Sequence, residues 1–305
     1  MAFGSLLRRS IQLSAITIIC LIIFVVSYAL LLPDPPNDAN PSGGESMLII
    51  VTALNVAVMG WLILRAHEQG LRLAASLVLA FYMVQTFMPQ LEALIFPAFA
   101  QHLPPGMLRG MLLAGLVHSL LWIPLAVLIL GKWPRTSETR PALEASPRIH
   151  GWVWRLPLAI IAYVMFYFVF GYYIAWRNPA VAAYYGGSDP GSFWAQIQSV
   201  WADNPGLFGA QAVRGLLWTL IALLVIRTMR QTRGEMMLAL GLLFAVVMNA
   251  GLLLPNPYMP PDVRMTHLLE TASSNLLYGA LLGRLFTPAT RREHVTRLEL
   301  RQTNT

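Results

Sequence analysis

The feature that most constrains this chain is a series of apolar runs, each about 20 residues long. An α-helix rises 1.5 Å per residue, so a run of about 20 residues crosses the hydrocarbon core of a bilayer. Only 11% of the residues are charged and 56% are hydrophobic, which excludes an ordinary soluble domain. The sequence therefore predicts an all-α integral membrane protein, a polytopic bundle of about eight transmembrane helices. The predicted spans are Ile11–Leu32, Met47–Leu64, Leu73–Met88, Met107–Leu130, Trp152–Trp176, Leu207–Ile226, Met236–Leu254 and Met265–Phe286.

The first span, Ile11–Leu32, follows Arg8 and Arg9 and so begins like a signal peptide. It is longer than the apolar core of a typical signal peptide and no A-x-A-like site follows it, so we expect a retained span. Cys20 lies within this span and is the chain's one cysteine. An intrachain disulfide and a cysteine-based zinc site are therefore excluded.

The third span is expected to stop near Pro89, because proline disfavours the α conformation in the residue before it. We expect Gln90–Leu103 to be an interfacial or re-entrant segment. Gln85 and Glu92 would share a helix face only if the helix continued through the proline. The sequence instead favours Glu92 at the outer surface, near Arg109, where an ion pair contributes little.

The distribution of positive charge predicts the orientation. If eight spans alternate, 17 of the 21 basic residues fall on one side, and Arg109, Arg177, Arg214 and Arg264 fall on or near the other. Cytoplasmic loops are rich in Lys and Arg, so both termini are expected in the cytoplasm, with the chain in a plasma membrane of the bacterial inner-membrane kind. The net charge of +7 then reflects topology and does not indicate a nucleic-acid partner.

A polar segment divides the chain into two sets of four spans. Predicted boundaries are residues 1–130 for the first half, 131–151 for a cytoplasmic linker, 152–286 for the second half and 287–305 for a basic cytoplasmic tail. Two short internal matches, Leu103–Pro105 with Met259–Pro261 and Leu30–Pro35 with Leu252–Pro257, pair the spans in conflicting registers. A duplication of the halves is thus left open.

The outer loop Arg177–Pro205, between spans 5 and 6, contains a helix signal. Asp189 and Pro190 form an N-cap and N1 pair, and five apolar residues follow at helical spacing. We expect a short helix lying on the outer membrane surface as an aromatic anchor, with a mobile lid over a pocket as the alternative. The apolar residues are Phe193, Trp194, Ile197, Val200 and Trp201.

Charged residues within the spans mark the region where function is expected. Counted from the outer ends of their spans, Arg214 lies about 12 Å deep, and Glu270 and Asn249 lie about 9 Å deep. Charges in hydrocarbon are costly and usually face partners or a wet cavity, so we expect Arg214 and Glu270 to form an ion pair in one polar layer. The pair alone could fix helix register, whereas a polar pocket would also explain the remaining polar residues. The predicted ligand-binding residues are Arg214, Asn249, Arg264, His267, Glu270 and Asn275.

A metal site is not expected. His267 and Glu270 are spaced i, i+3, but a metal needs three or four ligands, and His118 lies about 13 Å deeper in the membrane by the same count. We expect His118 to be hydrogen-bonded within the bundle. The chain carries no zinc-protease, serine-hydrolase or phosphate-loop motif, and no cofactor is predicted.

Three classes of function remain from the sequence. The first is binding or transport of a small anionic or amphipathic ligand through an outward-facing pocket, with Arg214 engaging an anionic group. The second is an intramembrane enzyme acting on a lipid-linked substrate, with Glu270 and His267 as an acid–base pair. The third is a structural membrane subunit. The expected partners are the lipid bilayer and a small anionic or lipid ligand, no nucleic-acid partner is expected, and the oligomeric state is not indicated.

Overall fold

A computed structural model describes residues 2–33, 44–95, 103–133, 153–229 and 231–288. Within these ranges the chain is helical and has no strand, apart from an isolated antiparallel pairing of Ala66 with Met229. Seven of the described helices are long and apolar enough to cross a membrane. The predicted helical membrane bundle is therefore confirmed in its class.

Ten helices make up the described chain. Several include a π-helical or 3₁₀ turn and are treated as one helix each. They are α1 (Ala2–Leu31), α2 (Gly44–Arg65), α3 (Gly70–Ile95), α4 (Met107–Ile129), α5 (Arg155–Ala175), α6 (Pro179–Tyr184), α7 (Phe193–Asp203), α8 (Gly206–Thr228), α9 (Arg233–Leu253) and α10 (Pro261–Phe286).

Helix α10 is the eighth long helix and corresponds to the predicted span Met265–Phe286. Its 26 residues are enough to cross a bilayer, but it carries more polar side chains than the seven strongly apolar helices and is not one of them. Glu270, Asn275 and Tyr278 on this helix are buried, while Leu269 and Leu277 are exposed. The polar face thus points into the bundle, and the count of eight spans stays a prediction.

The prediction that the third span ends near Pro89 is wrong. Helix α3 continues to Ile95, through a π-helical turn at Met83–Phe87 that ends two residues before the proline. The Met88 N–H bonds to the Met83 carbonyl, five residues back. This wider turn relieves the conflict that proline creates in a regular helix, where its ring meets the carbonyl four residues earlier. The described part of Gln90–Leu103 is thus helical as far as Ile95.

The eight long helices form two sets of four, α1–α4 and α5 with α8–α10, and the packing within the two sets is similar. Helix α1 packs on α2 and α4, and α3 on α4; in the second set α5 packs on α8 and α10, and α9 on α10. Between the sets, α2 contacts α9 and α3 contacts α8, and the π turns of α3 and α9 touch. If the two halves were related, the contact of α2 with α9 would correspond to the contact of α8 with α3. The predicted division into halves nevertheless stays a prediction.

Close helix packing explains two of the glycines in α10. A Cβ atom at Gly283 would lie 2.7 Å from the Met237 Cα atom, closer than real Cβ contacts allow. Gly279 makes a similar approach to the backbone at Leu240. Small residues at these positions let α9 and α10 pack backbone to backbone.

Basic side chains stabilise helix C-termini at one end of the bundle, which we call the basic end. Lys132 Nζ donates to the Ala66 carbonyl at 2.7 Å, and Arg155 Nη1 donates to the Leu285 carbonyl at 2.8 Å. These carbonyls have no partner within their own helix, and a cation there also opposes the helix dipole. Further bonds of this kind join Arg9 to Leu130 and Arg233 to Thr287.

The loop after α5 forms two short helices, α6 and α7. Helix α7 confirms a helix at Phe193–Asp203, but its N-cap is Ser192, whose hydroxyl accepts from the Ala195 N–H at 3.1 Å. The predicted Asp189 cap is wrong: its carboxylate accepts from Gly191 and pairs with Arg177 at 3.2 Å. Trp194 and Trp201 are exposed. Their placement at the membrane surface stays a prediction.

Candidate ligand-binding site

Arg214 of α8 is buried, and its guanidinium pairs with the Glu92 carboxylate of α3. Nη1 lies 3.3 Å from one Glu92 oxygen and Nη2 lies 3.4 Å from the other, so two donors meet two acceptors. Nη1 also donates to Gln211 at 3.2 Å. The predicted partner of Arg214 was Glu270, and that pairing is wrong.

Glu92 reaches Arg214 because α3 passes through Pro89 and carries the carboxylate into the bundle. The expected pairing of Glu92 with Arg109 is therefore also wrong, and Arg109 is exposed at the start of α4. The Glu92 side chain remains 35% exposed, whereas that of Arg214 is 3% exposed. One side of the carboxylate thus binds the cation and the other is open.

Glu270, His267 and Tyr185 form a chain of hydrogen bonds. His267 Nδ1 lies 2.8 Å from a Glu270 carboxylate oxygen, and His267 Nε2 lies 3.0 Å from the Tyr185 hydroxyl. With neutral His267, this network places the proton on Nδ1, facing the acceptor-only carboxylate, and lets Nε2 accept from the tyrosine. Burial, with Glu92 and Glu270 nearby, raises the pKa of Tyr185, so its hydroxyl stays protonated. We call Glu92, Arg214, His267 and Glu270 the polar layer.

Asn249 and Asn275 are held beside the polar layer by bonds to α9 and α10. The Asn249 amide donates to the Ala245 carbonyl at 2.9 Å, at the π turn Leu243–Val247. Its side-chain oxygen accepts from the Thr271 hydroxyl. Asn275 Nδ2 contacts the Met248 sulfur at 2.9 Å.

A small cavity of about 30 Å³ lies against the polar layer. Glu92, Arg214, Glu270 and Asn275 contribute to its walls. A cavity of this size holds water molecules, and the surrounding groups could bind them. Arg214 Nε has no hydrogen-bond partner within the described parts of the chain, so the guanidinium is not fully satisfied by protein.

A much larger cavity of about 640 Å³, which we call the chamber, adjoins the small one. Both are lined by Glu92, Met248 and Thr271. The chamber lies away from the basic end, between the last turns of α1 and α3, the first turns of α4, and the chain from Met248 to Met259. Its lining is mainly apolar, with polar groups from residues including Gln85, Gln90, Tyr185, Asn256 and His267.

Five of the six predicted ligand-binding residues line one of these cavities. Arg214, Glu270 and Asn275 line the small cavity, and Asn249 and His267 line the chamber. Arg264 is half-buried on the first turn of α10 and is absent from both linings. The five residues are thus divided between two adjoining cavities, and their role as ligand contacts stays a prediction.

Sequence reasoning did not assign Glu92, Tyr185 or Gln211 to the site. The sequence signal for Glu92 is its spacing of seven residues from Gln85, which places both on one helix face. Pro89 between them argued against a continuous helix, and so against this shared face. Tyr185 lies after α6, in a loop whose path no periodicity predicts. The described π turns of α3, α5 and α9 all lie beside residues of the cavity walls, as is common for functional regions of helices.

His118, the other histidine considered for a metal site, lies in a different environment. It is buried in α4, with Nε2 3.4 Å from the Cys20 sulfur, and it contacts the rings of Phe24, Phe81 and Trp122. The prediction that it is hydrogen-bonded within the bundle is confirmed. Across the described ranges, no three His, Cys, Asp or Glu side chains are grouped so that they could hold a metal ion.

Comparisons of this chain with known protein families, curated proteins and solved structures find no match. The chemistry of the polar layer and the chamber must therefore indicate the function.

Proposed function

We propose that this protein binds, and moves through the membrane, an amphipathic small molecule whose apolar part occupies the chamber and whose head reaches the polar layer. The observation that carries the proposal is the shared wall of the two cavities at Glu92, Met248 and Thr271. An apolar space of about 640 Å³ that ends on a few polar groups is typical of small-molecule sites. The bilayer supplies such ligands directly.

The charge balance favours a head group that donates hydrogen bonds or carries positive charge. Arg214 was expected to engage an anion, but Glu92 already compensates its charge. The open side of the Glu92 carboxylate can accept further hydrogen bonds. An anionic head would meet this carboxylate first and be repelled, so we set the anionic alternative aside.

We place the chamber on the outer side of the membrane, because the basic end carries the arginines and lysine typical of a cytoplasmic surface. Both termini are then cytoplasmic, as the sequence predicts, and the ligand enters from the outside or from the outer leaflet.

An enzymatic function on a lipid-linked substrate is the second candidate. The observation that favours it is the 2.8 Å bond between His267 and Glu270, in which a carboxylate orients a histidine. His267 Nε2 then faces the Tyr185 hydroxyl at the chamber wall. A structural subunit without ligand would need neither this arrangement nor the chamber.

The test uses three probes that share a dodecyl chain and differ in the head: dodecyltrimethylammonium, dodecanol and dodecanoate. Binding to the protein in nanodiscs is measured by thermal shift and by calorimetry. We expect the ammonium to bind best and the carboxylate worst, because the head faces Glu92. Equal effects of the three probes, or the strongest effect from dodecanoate, would contradict the proposed head-group chemistry.

A matched pair of variants locates the binding site. Met111→Trp fills the chamber from α4, and we expect it to weaken binding of dodecyltrimethylammonium at least about tenfold, or about 1.4 kcal/mol. Leu113→Trp adds the same bulk on the exposed side of α4 and should leave binding unchanged. Equal losses in both variants would contradict binding in the chamber.

A further inference from the structure

The polar layer carries one more negative than positive charge when His267 is neutral. Glu92 and Glu270 contribute two carboxylates, while Arg214 contributes one fixed cation. A proton on His267 would balance the layer. A cationic head group arriving from the chamber would balance it equally well.

Among the residues that the structure describes, the walls of the two cavities carry no basic side chain other than Arg214 and His267 itself. Besides the four residues of the polar layer, the titratable side chains on the two cavity walls are all tyrosines: Tyr163, Tyr167 and Tyr278 at the small cavity, and Tyr28, Tyr185 and Tyr258 at the chamber. Arg264 lies one turn earlier on α10 but is in neither cavity lining. The described chain thus leaves one unit of negative charge for His267 or a ligand to neutralise.

We propose that a proton on His267 and an organic cation in the chamber compete for this one negative charge, so that the protein exchanges protons for lipophilic cations. The inference rests on the proposed binding function and adds the ligand class and the coupled ion. Both cations together would leave a net positive charge in a site of low dielectric, where unbalanced charge is costly. Each therefore weakens the binding of the other by the same factor.

The hydrogen bonds around His267 provide a route for the proton. In the neutral ring Nε2 accepts from the Tyr185 hydroxyl, which lines the chamber with His267. When Nε2 takes a proton it becomes a donor, and the tyrosine hydroxyl must turn to accept from it. Nδ1 continues to donate to Glu270 in both states. A proton thus leaves toward the chamber as a cation enters, and charge is conserved in the layer.

The test is calorimetry of dodecyltrimethylammonium binding to the whole protein in nanodiscs, in buffers that differ in ionisation enthalpy. The probe is a permanent cation, so it does not titrate. We expect up to one proton released per cation bound at low pH and none at high pH. Affinity should fall by up to about tenfold per pH unit below the range in which His267 titrates.

Two variants assign the proton. His267→Gln should lose proton release whatever its affinity, and His67→Gln, at the basic end, should behave like the wild type. If the wild type binds the cation with no proton release at any pH, the exchange proposal is overturned while the binding function stands. If the cation does not bind at all, the proposed function itself fails. Unchanged proton release in a folded His267→Gln protein would also overturn the assignment.

Discussion

His118 in α4 and His267 in α10 show what distinguishes a packing histidine from one in a reactive setting. Both lie on the last long helix of their set of four, and both have a side-chain partner. His118 is surrounded by aromatic rings and bonds weakly to a thiol. His267 lies between a carboxylate and a tyrosine hydroxyl on a cavity wall. These neighbours, and the space beside them, are the observations that support the function proposed for the second histidine.

The largest expected effect concerns the buried ion pair of Glu92 with Arg214, because the polar layer around His267 contains such a pair and the surroundings of His118 do not. Glu92→Gln removes the only carboxylate that pairs directly with the buried Arg214 among the described residues, and we expect a loss of about 3–5 kcal/mol in unfolding free energy. Arg214→Gln should cost less, because the Glu92 side chain is 35% exposed and can reach solvent. The measurement is denaturant unfolding in mixed micelles.

A double-mutant cycle supplies the control for this pair. The Glu92→Gln and Arg214→Gln changes together should recover part of the loss, since neither charge is then stranded. Glu270→Gln combined with Arg214→Gln should be closer to additive, because those two residues do not pair. Strong coupling of Arg214 to Glu270, with no coupling to Glu92, would contradict the pairing of Arg214 with Glu92.

Phenylalanine in place of each histidine compares the two sites directly. His118→Phe exchanges one ring for another among aromatic neighbours, and should cost less than about 1.5 kcal/mol. His267→Phe strands the Glu270 carboxylate and the Tyr185 hydroxyl, and should cost about 3 kcal/mol or more. Comparable losses in thermal unfolding would mean that the two histidines are alike.

Much of the fold follows from apolar run length, but the partner of Arg214 does not. Depth along each helix indicates that Arg214, Asn249 and Glu270 lie at a similar level in the membrane. It does not predict which helix packs beside Arg214 and supplies its counter-charge. The π turn before Pro89 determines that α3 continues and brings Glu92 to the arginine. This turn contacts α4 and α9, and no local sequence pattern encodes those contacts.

The smallest expected effects come from removing Cys20, which bonds to His118, or the Tyr185 hydroxyl, which bonds to His267. Cys20→Ala and Tyr185→Phe should each cost about 1 kcal/mol in unfolding free energy, the net value of one modest hydrogen bond and its packing. Only Tyr185→Phe should alter binding of dodecyltrimethylammonium, because Cys20 is absent from the chamber lining. A similar change in binding for Cys20→Ala would break the distinction between the two histidine sites.

Photolabelling tests most directly whether the chamber receives a ligand at the polar layer. A long-chain quaternary ammonium with a diazirine beside its head is cross-linked to the protein in nanodiscs, and labelled residues are identified by mass spectrometry. We predict labels on Tyr185, His267 or Thr271, suppressed by excess dodecyltrimethylammonium. Labels confined to lipid-facing residues such as Leu113, Leu120 and Ile161, and unaffected by the competitor, would contradict a binding site in the chamber.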